Sequence, residues 1–239
     1  MKFKIALVVI VALAGIYFTG CTYMIECLKG DGNIKTVDKN IGNFNKILLK
    51  GTGNIHYSSS DNPSLRIEGD ANIIEHLLTY VKGSTLIIDA DNPICPRKLD
   101  FYVSSKTLEG VMIKGAGDVI GMDSIVTDRF AALIEGSGDI KLIIAAKDVK
   151  AEIDGSGNIS LKGYADNASC VIKGSGDIDL SGAPSRTAKV GIYGSGNCML
   201  YAGESLRAEI YGSGDVIYYG DPKNFVSKVN GSGEVRKAK

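Results

Sequence analysis

Tryptophan is absent from this chain, histidine occurs only twice, proline five times, and neither sign of charge is in excess, with 27 Lys and Arg against 27 Asp and Glu. Each shortage excludes something. His56 and His76 have no metal-ligand spacing to one another or to a cysteine, so no histidine-based metal site is recognisable, nor is a Ser-His-Asp set. Balanced charge leaves no basic footprint for nucleic acid and no acidic block of the disordered kind. Scarce proline excludes collagen and Pro-rich linkers. The apolar run from Ile5 to Phe18 is 14 residues, short of the roughly 20 that a membrane-spanning helix needs. No P-loop or dinucleotide fingerprint occurs, because the Gly-x-Gly units precede strand-like rather than helix-like segments. Nothing in the composition calls for a cofactor.

What is present begins with targeting. Lys2 and Lys4 precede that short apolar run, the pattern of a secretory signal peptide over residues 1–20. The run ends in Phe18-Thr19-Gly20-Cys21, which resembles the lipobox of bacterial lipoproteins, apart from Phe18 in place of the usual Leu. In that motif the cysteine is lipidated on sulfur and becomes the new N-terminus, so Cys21 is the expected lipidation site and residues 21–28 a short tether. Acyl chains contribute about 0.8 kcal/mol per buried CH₂, so several of them give a firm membrane anchor. Thr22, rather than Asp, follows Cys21; under enteric sorting rules this points to the outer membrane of a Gram-negative bacterium.

Glycine is the abundant residue, 30 in all, and its spacing is regular. Gly-Ser-Gly followed by Asp, Asn or Glu begins at Gly136, Gly155, Gly174, Gly194, Gly212 and Gly231, with variants at Gly30, Gly51 and Gly115. From Gly115 onward the steps are 21, 19, 19, 20, 18 and 19 residues. Degenerate copies are read at Gly69 and Asp89. The flanks alternate with the period of strands. Two residues before each repeat glycine stand Ile113, Ile134, Ile153, Ile172, Ile192, Ile210 and Val229; four after it stand Val119, Ile140, Ile159, Ile178, Cys198, Val216 and Val235. A single unit cannot bury this apolar face, but stacked neighbours can. The pattern predicts an all-β fold: a right-handed, single-stranded parallel β-helix of about ten coils with a period of 18–21 residues. Residues 29–236 form it, with irregular coils and an insertion over 29–114 and regular coils over 115–236. A short helical turn is expected within Gly69–Leu78, with Asp70 as its cap.

With the repeat in view, the chain resembles the head GIN domain family, whose members are described as auto-transporter adhesins. Three features carry the resemblance: Lys29-Gly30-Asp31-Gly32-Asn33 with Phe44-Asn45-Lys46-Ile47; Leu65-Arg66-Ile67-Glu68-Gly69-Asp70-Ala71-Asn72 leading into Leu86-Ile87-Ile88; and the glycine series from Gly115 to Gly231. It spans about residues 28–236 and implies a right-handed parallel β-helix in an exported protein. It carries over no catalytic residue.

Four sets of residues stand out. Asp118, Asp139, Asn158, Asp177, Asn197 and Asp215 occupy one repeat position and read as a turn ladder, each closing an Asx-type turn. Its likeness to calcium-binding nonapeptide repeats fails on period and on the missing second loop pattern. Alternation of Asp with Asn from Asp139 favours the structural role, since carboxylates about 4.8 Å apart on adjacent rungs repel by roughly 1–3 kcal/mol. Tyr193 with Tyr211, and Tyr201 with Tyr219, share outward positions; they are either an aromatic platform for a glycan or protein, or a cross-rung stack that stiffens the last coils. Cys27 and Cys95 flank the irregular part and are the candidate disulfide pair, although spacing alone does not give their distance. Cys170 and Cys198 fall at core positions.

These observations point to a non-enzymatic, lipid-anchored envelope protein that binds a glycan or protein at the cell surface. Two other classes stay open: a polysaccharide-active β-helix enzyme, for which no cluster of Asp, Arg and Lys is visible in the sequence, and a purely structural envelope component. Open ends of a β-helix also leave room for homo-oligomers.

Overall fold

The computed structural model describes residues 26–239. The signal-peptide segment and Cys21 lie outside the described residues. Of the described residues, 65% are strand and 2% helix. In order, the elements are β1 (Leu28–Lys29), β2 (Ile34–Lys39), β3 (Lys46–Gly51), β4 (Asn54–Ser59), β5 (Ser64–Asp70), α1 (Ala71–Ile74), β6 (Leu77–Lys82), β7 (Thr85–Ala90), β8 (Ile94–Cys95), β9 (Leu99–Ser105) and β10 (Gly110–Gly115). The repeats follow as β11 (Asp118–Gly136), β12 (Ile140–Gly155), β13 (Ile159–Gly174), β14 (Ile178–Leu180), β15 (Ser185–Ile192), β16 (Cys198–Tyr201), β17 (Ser205–Ile210), β18 (Val216–Tyr219), β19 (Asn224–Val229) and β20 (Val235–Lys237).

Parallel pairing stacks these strands into a β-solenoid of about seven turns, fewer than the ten expected. Repeat glycines meet rung on rung: Gly51 pairs with Gly115, Gly115 with Gly136, Gly136 with Gly155, and Gly155 with Gly174. Inside, side chains of the same repeat position stack. Ile113, Ile134, Ile153, Ile172, Ile192 and Ile210 form one buried column, and Val119, Ile140, Ile159, Ile178, Cys198 and Val216 another. Each such side chain contributes about 1.5–3 kcal/mol on burial. A one-residue slip would turn every one of them to solvent, and this sets the register. Cys170 and Cys198 lie within this core. Cys170 beside it, together with burial, pushes the Cys198 thiol well up.

The glycine corner is explained by contact more than by turn geometry. The first glycine of each unit takes a positive φ in several rungs, 138° at Gly136 and 145° at Gly155. The second glycines stack so closely that a Cβ on Gly138 would sit 1.9 Å from the carbonyl oxygen of Gly117. The serine between them faces solvent.

The N-terminal part departs from the expected succession of coils, and here the coil count falls. The copy read at Gly69 is not a coil: β5 runs antiparallel to both β2 and β9. The copy read at Asp89 belongs to a rung that lies out of sequence order. There β7 pairs in parallel with β3, and β9 with β4, while the other edge of β3 meets β10. β6 then lies antiparallel on β7. Antiparallel β2, β5 and β6 thus cover the first rung, whose edge would otherwise offer unpaired backbone groups. The expected helical turn is α1, but Asp70 makes no side-chain cap on it.

Candidate functional site

One outward sheet face, built from β11, β12, β13, β15 and β17, carries most of the exposed chemistry. Successive outward residues of a strand lie two apart, so each rung presents four positions to the same side. Register places them in columns along the solenoid axis. One column is Arg129, Asp148, Asn167 and Thr187; the next is Lys46, Gly110, Ala131, Lys150, Ser169, Lys189 and Arg207. A third holds Val171, Gly191 and Glu209, and Tyr193 and Tyr211 follow the ends of β15 and β17.

Tyr193 and Tyr211 stack with ring centroids 5.3 Å apart and planes within 2°, and both remain well exposed, at 52% and 41%. Gly191 makes room for this: a Cβ there would lie 3.2 Å from the Tyr193 ring. Lys228 stands 5.8 Å over the Tyr211 ring, and the Tyr211 hydroxyl donates to Glu209 at 3.3 Å. Arg207, bonded to Glu209, holds that carboxyl below its ordinary range against the opposing effect of burial. Tyr201 and Tyr219 are register partners on β16 and β18, beyond the glycine corner and so on a different face. The Tyr201 ring leans over Gly220 instead of extending the platform. The four tyrosines are therefore two separate pairs.

Beside the tyrosine pair runs a groove of about 720 Å³ lined by Lys46, Arg129, Asp148, Lys150, Asn167, Thr187 and Lys189, among others. One wall is a hydrogen-bonded ladder: the Asn167 side-chain amide donates to Asp148 at 2.9 Å, and the Thr187 hydroxyl to the Asn167 Oδ1 at 2.7 Å, with Arg129 3.8 Å from Asp148. On the other wall Lys150 pairs with Glu152 at 2.7 Å. Lys150 and Lys173 together hold the Glu152 carboxyl below its ordinary range. Lys46 and Lys189 have no carboxylate within 4.0 Å among the described residues. Reading the sequence locally misses this cluster, because each rung supplies only one or two of its members. The signal that could have found it is the column of residues five before each repeat glycine, where Lys150, Lys189 and Arg207 recur.

The Asp/Asn ladder is continuous, but it runs between rungs and does not close Asx turns within them. Asp118 accepts the backbone N–H of Asp139 at 2.9 Å, Asp139 that of Asn158 at 3.0 Å, and Asn158 that of Asp177 at 3.1 Å. The series continues from Asn197 to Asp177 at 2.6 Å, Asp215 to Asn197 at 2.9 Å and Glu234 to Asp215 at 2.9 Å. Aspartate and asparagine both supply the acceptor, which is why either serves. The asparagines also donate side-chain amides to the preceding carboxylate, Asn158 to Asp139 at 3.0 Å and Asn197 to Asp177 at 3.1 Å. Burial pushes the Asp139 carboxyl up, but Asn158 and Lys141 outweigh it and the net shift is downward. Among the described residues no three His, Cys, Asp or Glu side chains gather to hold a metal ion.

At the N-terminal end two sequence-distant motifs meet. Asp70, fully buried, accepts the backbone N–H groups of Gly32 at 2.8 Å, Arg97 at 2.7 Å and Lys98 at 3.1 Å. Asn72 bonds both Asp31 and Lys29. A Cβ on Gly30 would collide with the Asp70 carboxylate. Cys27 and Cys95 are joined in a disulfide, Cα–Cα 5.6 Å, across the small β1–β8 sheet. His56 stacks on Tyr102 at 5.0 Å and approaches Asp100 at 3.4 Å, while His76 meets Asp91 at 2.9 Å.

A family profile described as "Putative auto-transporter adhesin, head GIN domain" matches residues 43–222. A crystal structure of a "putative adhesin" from Bacteroides fragilis NCTC 9343 is 27% identical, with a TM-score of 0.85 over 88% of this chain and 100% of that chain. A "putative lipid binding protein" from Parabacteroides distasonis ATCC 8503 is 28% identical, with a TM-score of 0.76 over 90% of this chain and 100% of that one. A "putative adhesin" from Parabacteroides merdae ATCC 43184, 24% identical with a TM-score of 0.68 over 90% of this chain and 100% of that one, shares the fold. No curated protein matches the chain.

Proposed function

This chain belongs to the "Putative auto-transporter adhesin, head GIN domain" family, and on that premise we propose that it is a non-catalytic binding module of the bacterial cell envelope, held to the outer membrane by a lipid on Cys21 and engaging a glycan through its exposed sheet face. The observation that carries this reading is the Tyr193–Tyr211 stack. Two large aromatic rings parallel within 2° remain half-exposed on a rigid scaffold, where burying them against a sugar ring releases apolar surface from water. Rigidity matters because a preformed face loses little conformational entropy on binding.

The test is an array of bacterial, plant and host glycans and matrix proteins, probed with residues 22–239 made without lipid. Selective glycan binding that weakens in Tyr193→Ala/Tyr211→Ala supports the reading. Binding that ignores the substitution removes the tyrosine face, and an empty array shifts the weight to a structural envelope role. The groove gathering Arg129, Asp148 and Lys150 is where a polysaccharide-active enzyme would work instead; shortened products after incubation would select that alternative. Anchoring is tested separately, by whether Cys21→Ser releases the protein from the membrane fraction.

A further inference from the structure

The groove beside the tyrosines has a chemistry that the tyrosines do not require, and we propose that it selects a linear acidic polysaccharide. This rests on the glycan-binding reading of the same face and names the class of glycan. Four cations, Lys46, Arg129, Lys150 and Lys189, line the groove against two carboxylates, Glu109 and Asp148. Asp148 is already committed to Arg129 and Asn167. Lys46 and Lys189 are exposed and have no ion-pair partner within 4.0 Å among the described residues, so their charge is available to a ligand.

Spacing argues for a polymer. Lys150 and Lys189 are two rungs apart and Lys46 lies three rungs beyond Lys150 in the same column. At about 4.8 Å per rung the two unpaired lysines, Lys46 and Lys189, stand ~24 Å apart along a straight axis, with Lys150, which pairs with Glu152, between them. The intervening positions, Gly110, Ala131 and Ser169, are small and leave the channel open between them. An extended chain with an acidic group in each repeat meets these cations in turn, and a row of like charges draws it along the groove.

The uncharged end of the first wall, Asn167 and Thr187, favours a sugar over an acidic peptide. Asn167 and Thr187 present amide and hydroxyl groups of the kind that match sugar hydroxyls. Lys189 and Tyr193 also border a second, smaller depression over Gly191, so groove and tyrosine platform form one continuous surface. A peptide has no ring to lay against that platform at each step.

The experiment titrates the full chain, purified in detergent and without calcium, with polygalacturonate, heparin, methyl-esterified polygalacturonate and poly-L-glutamate. Its variants are Lys46→Ala/Lys189→Ala, which orphans no carboxylate, and Tyr193→Ala/Tyr211→Ala; circular dichroism confirms folding of each. The expected result is preference for an acidic polysaccharide over the ester, weakening in 0.5 M salt as exposed charges are screened, and an affinity at least tenfold lower in the lysine variant. Equal binding of polygalacturonate and its ester, lost only in the tyrosine variant, overturns the acidic selectivity and leaves the glycan-binding face intact. Tighter binding of poly-L-glutamate than of either acidic polysaccharide overturns the choice of ligand class. Failure of both acidic polysaccharides to bind overturns the inference, while the glycan array decides the broader reading independently.

Discussion

Replacing both ladder asparagines by aspartate, Asn158→Asp/Asn197→Asp, tests the inter-rung ladder directly. Each asparagine amide donates to the carboxylate of the preceding rung, at 3.0 and 3.1 Å. The substitution keeps the acceptor that the next rung needs, removes that donor, and brings two carboxylates together. A hydrogen bond to a charged group contributes about 1.5–3 kcal/mol. Two like charges about 4 Å apart repel by about 1 kcal/mol in bulk water and about 4 near a protein surface. Rotation of the exposed side chains relieves part of this, so about 2 kcal/mol per site is expected. The two sites share Asp177 as a neighbour, and their effects therefore couple. A total of about 4 kcal/mol corresponds to a melting-temperature loss of roughly 8–16 °C for a domain of this size.

The pH dependence has a definite sign. Repulsion between the carboxylates that the variant brings together disfavours their charged forms, so the variant should match wild type best at acid pH and lose stability as pH rises towards 7. Added salt narrows the gap. Thermal and urea unfolding at pH 4 and pH 7, with and without calcium, measure all of this. A melting temperature at pH 7 equal to or above wild type in the presence of chelator would refute the ladder's electrostatic logic. A rise only with calcium would show that the ladder holds the metal.

Three further outcomes follow from the packing. Gly138→Ala places a methyl 1.9 Å from a backbone carbonyl that no rotamer change can avoid, and should cost about 3 kcal/mol or more by urea unfolding; Gly42→Ala, with nothing within 4 Å, should be close to neutral. Burial pushes the Asp70 carboxyl up, but the amides of Lys98, Gly32 and Arg97 outweigh it and leave it lowered. Its stabilisation is therefore present above the unfolded value near 4 and lost as pH falls through the folded one, and the three amides should lose protection against hydrogen exchange, relative to their intrinsic rates, at acid pH before the regular rungs do. Cys95→Ser opens a link spanning 68 residues, worth up to about 4 kcal/mol by loop entropy; because it ties down only the small β1–β8 sheet, limited proteolysis should show new cleavage confined to residues 26–33.

The sequence by itself determined the repeat, the inward columns and the rung-to-rung identity of Asp139, Asn158, Asp177, Asn197 and Asp215. Each of these is a local regularity: a side chain at a constant offset from a glycine meets its own equivalent one coil away, so period and register are both written in the spacing. It also singled out Cys27, Cys95 and the tyrosine pairs, but not whether their members touch. Only the tertiary structure decided what depends on chain order in space. The rung containing β7 and β9 stacks outside the earlier β3–β4 rung, and β5 turns antiparallel, because the first coil needs its edge covered and only non-repeating sequence can do that. Asp70 caps no helix there, because its carboxylate instead accepts three backbone amides from distant loops. The basic groove was hidden for the same reason. Its members, Lys46, Arg129, Lys150 and Lys189, come from separate rungs; the lysines share only a position five before a repeat glycine, and stacking alone gathers them with Arg129 into one groove.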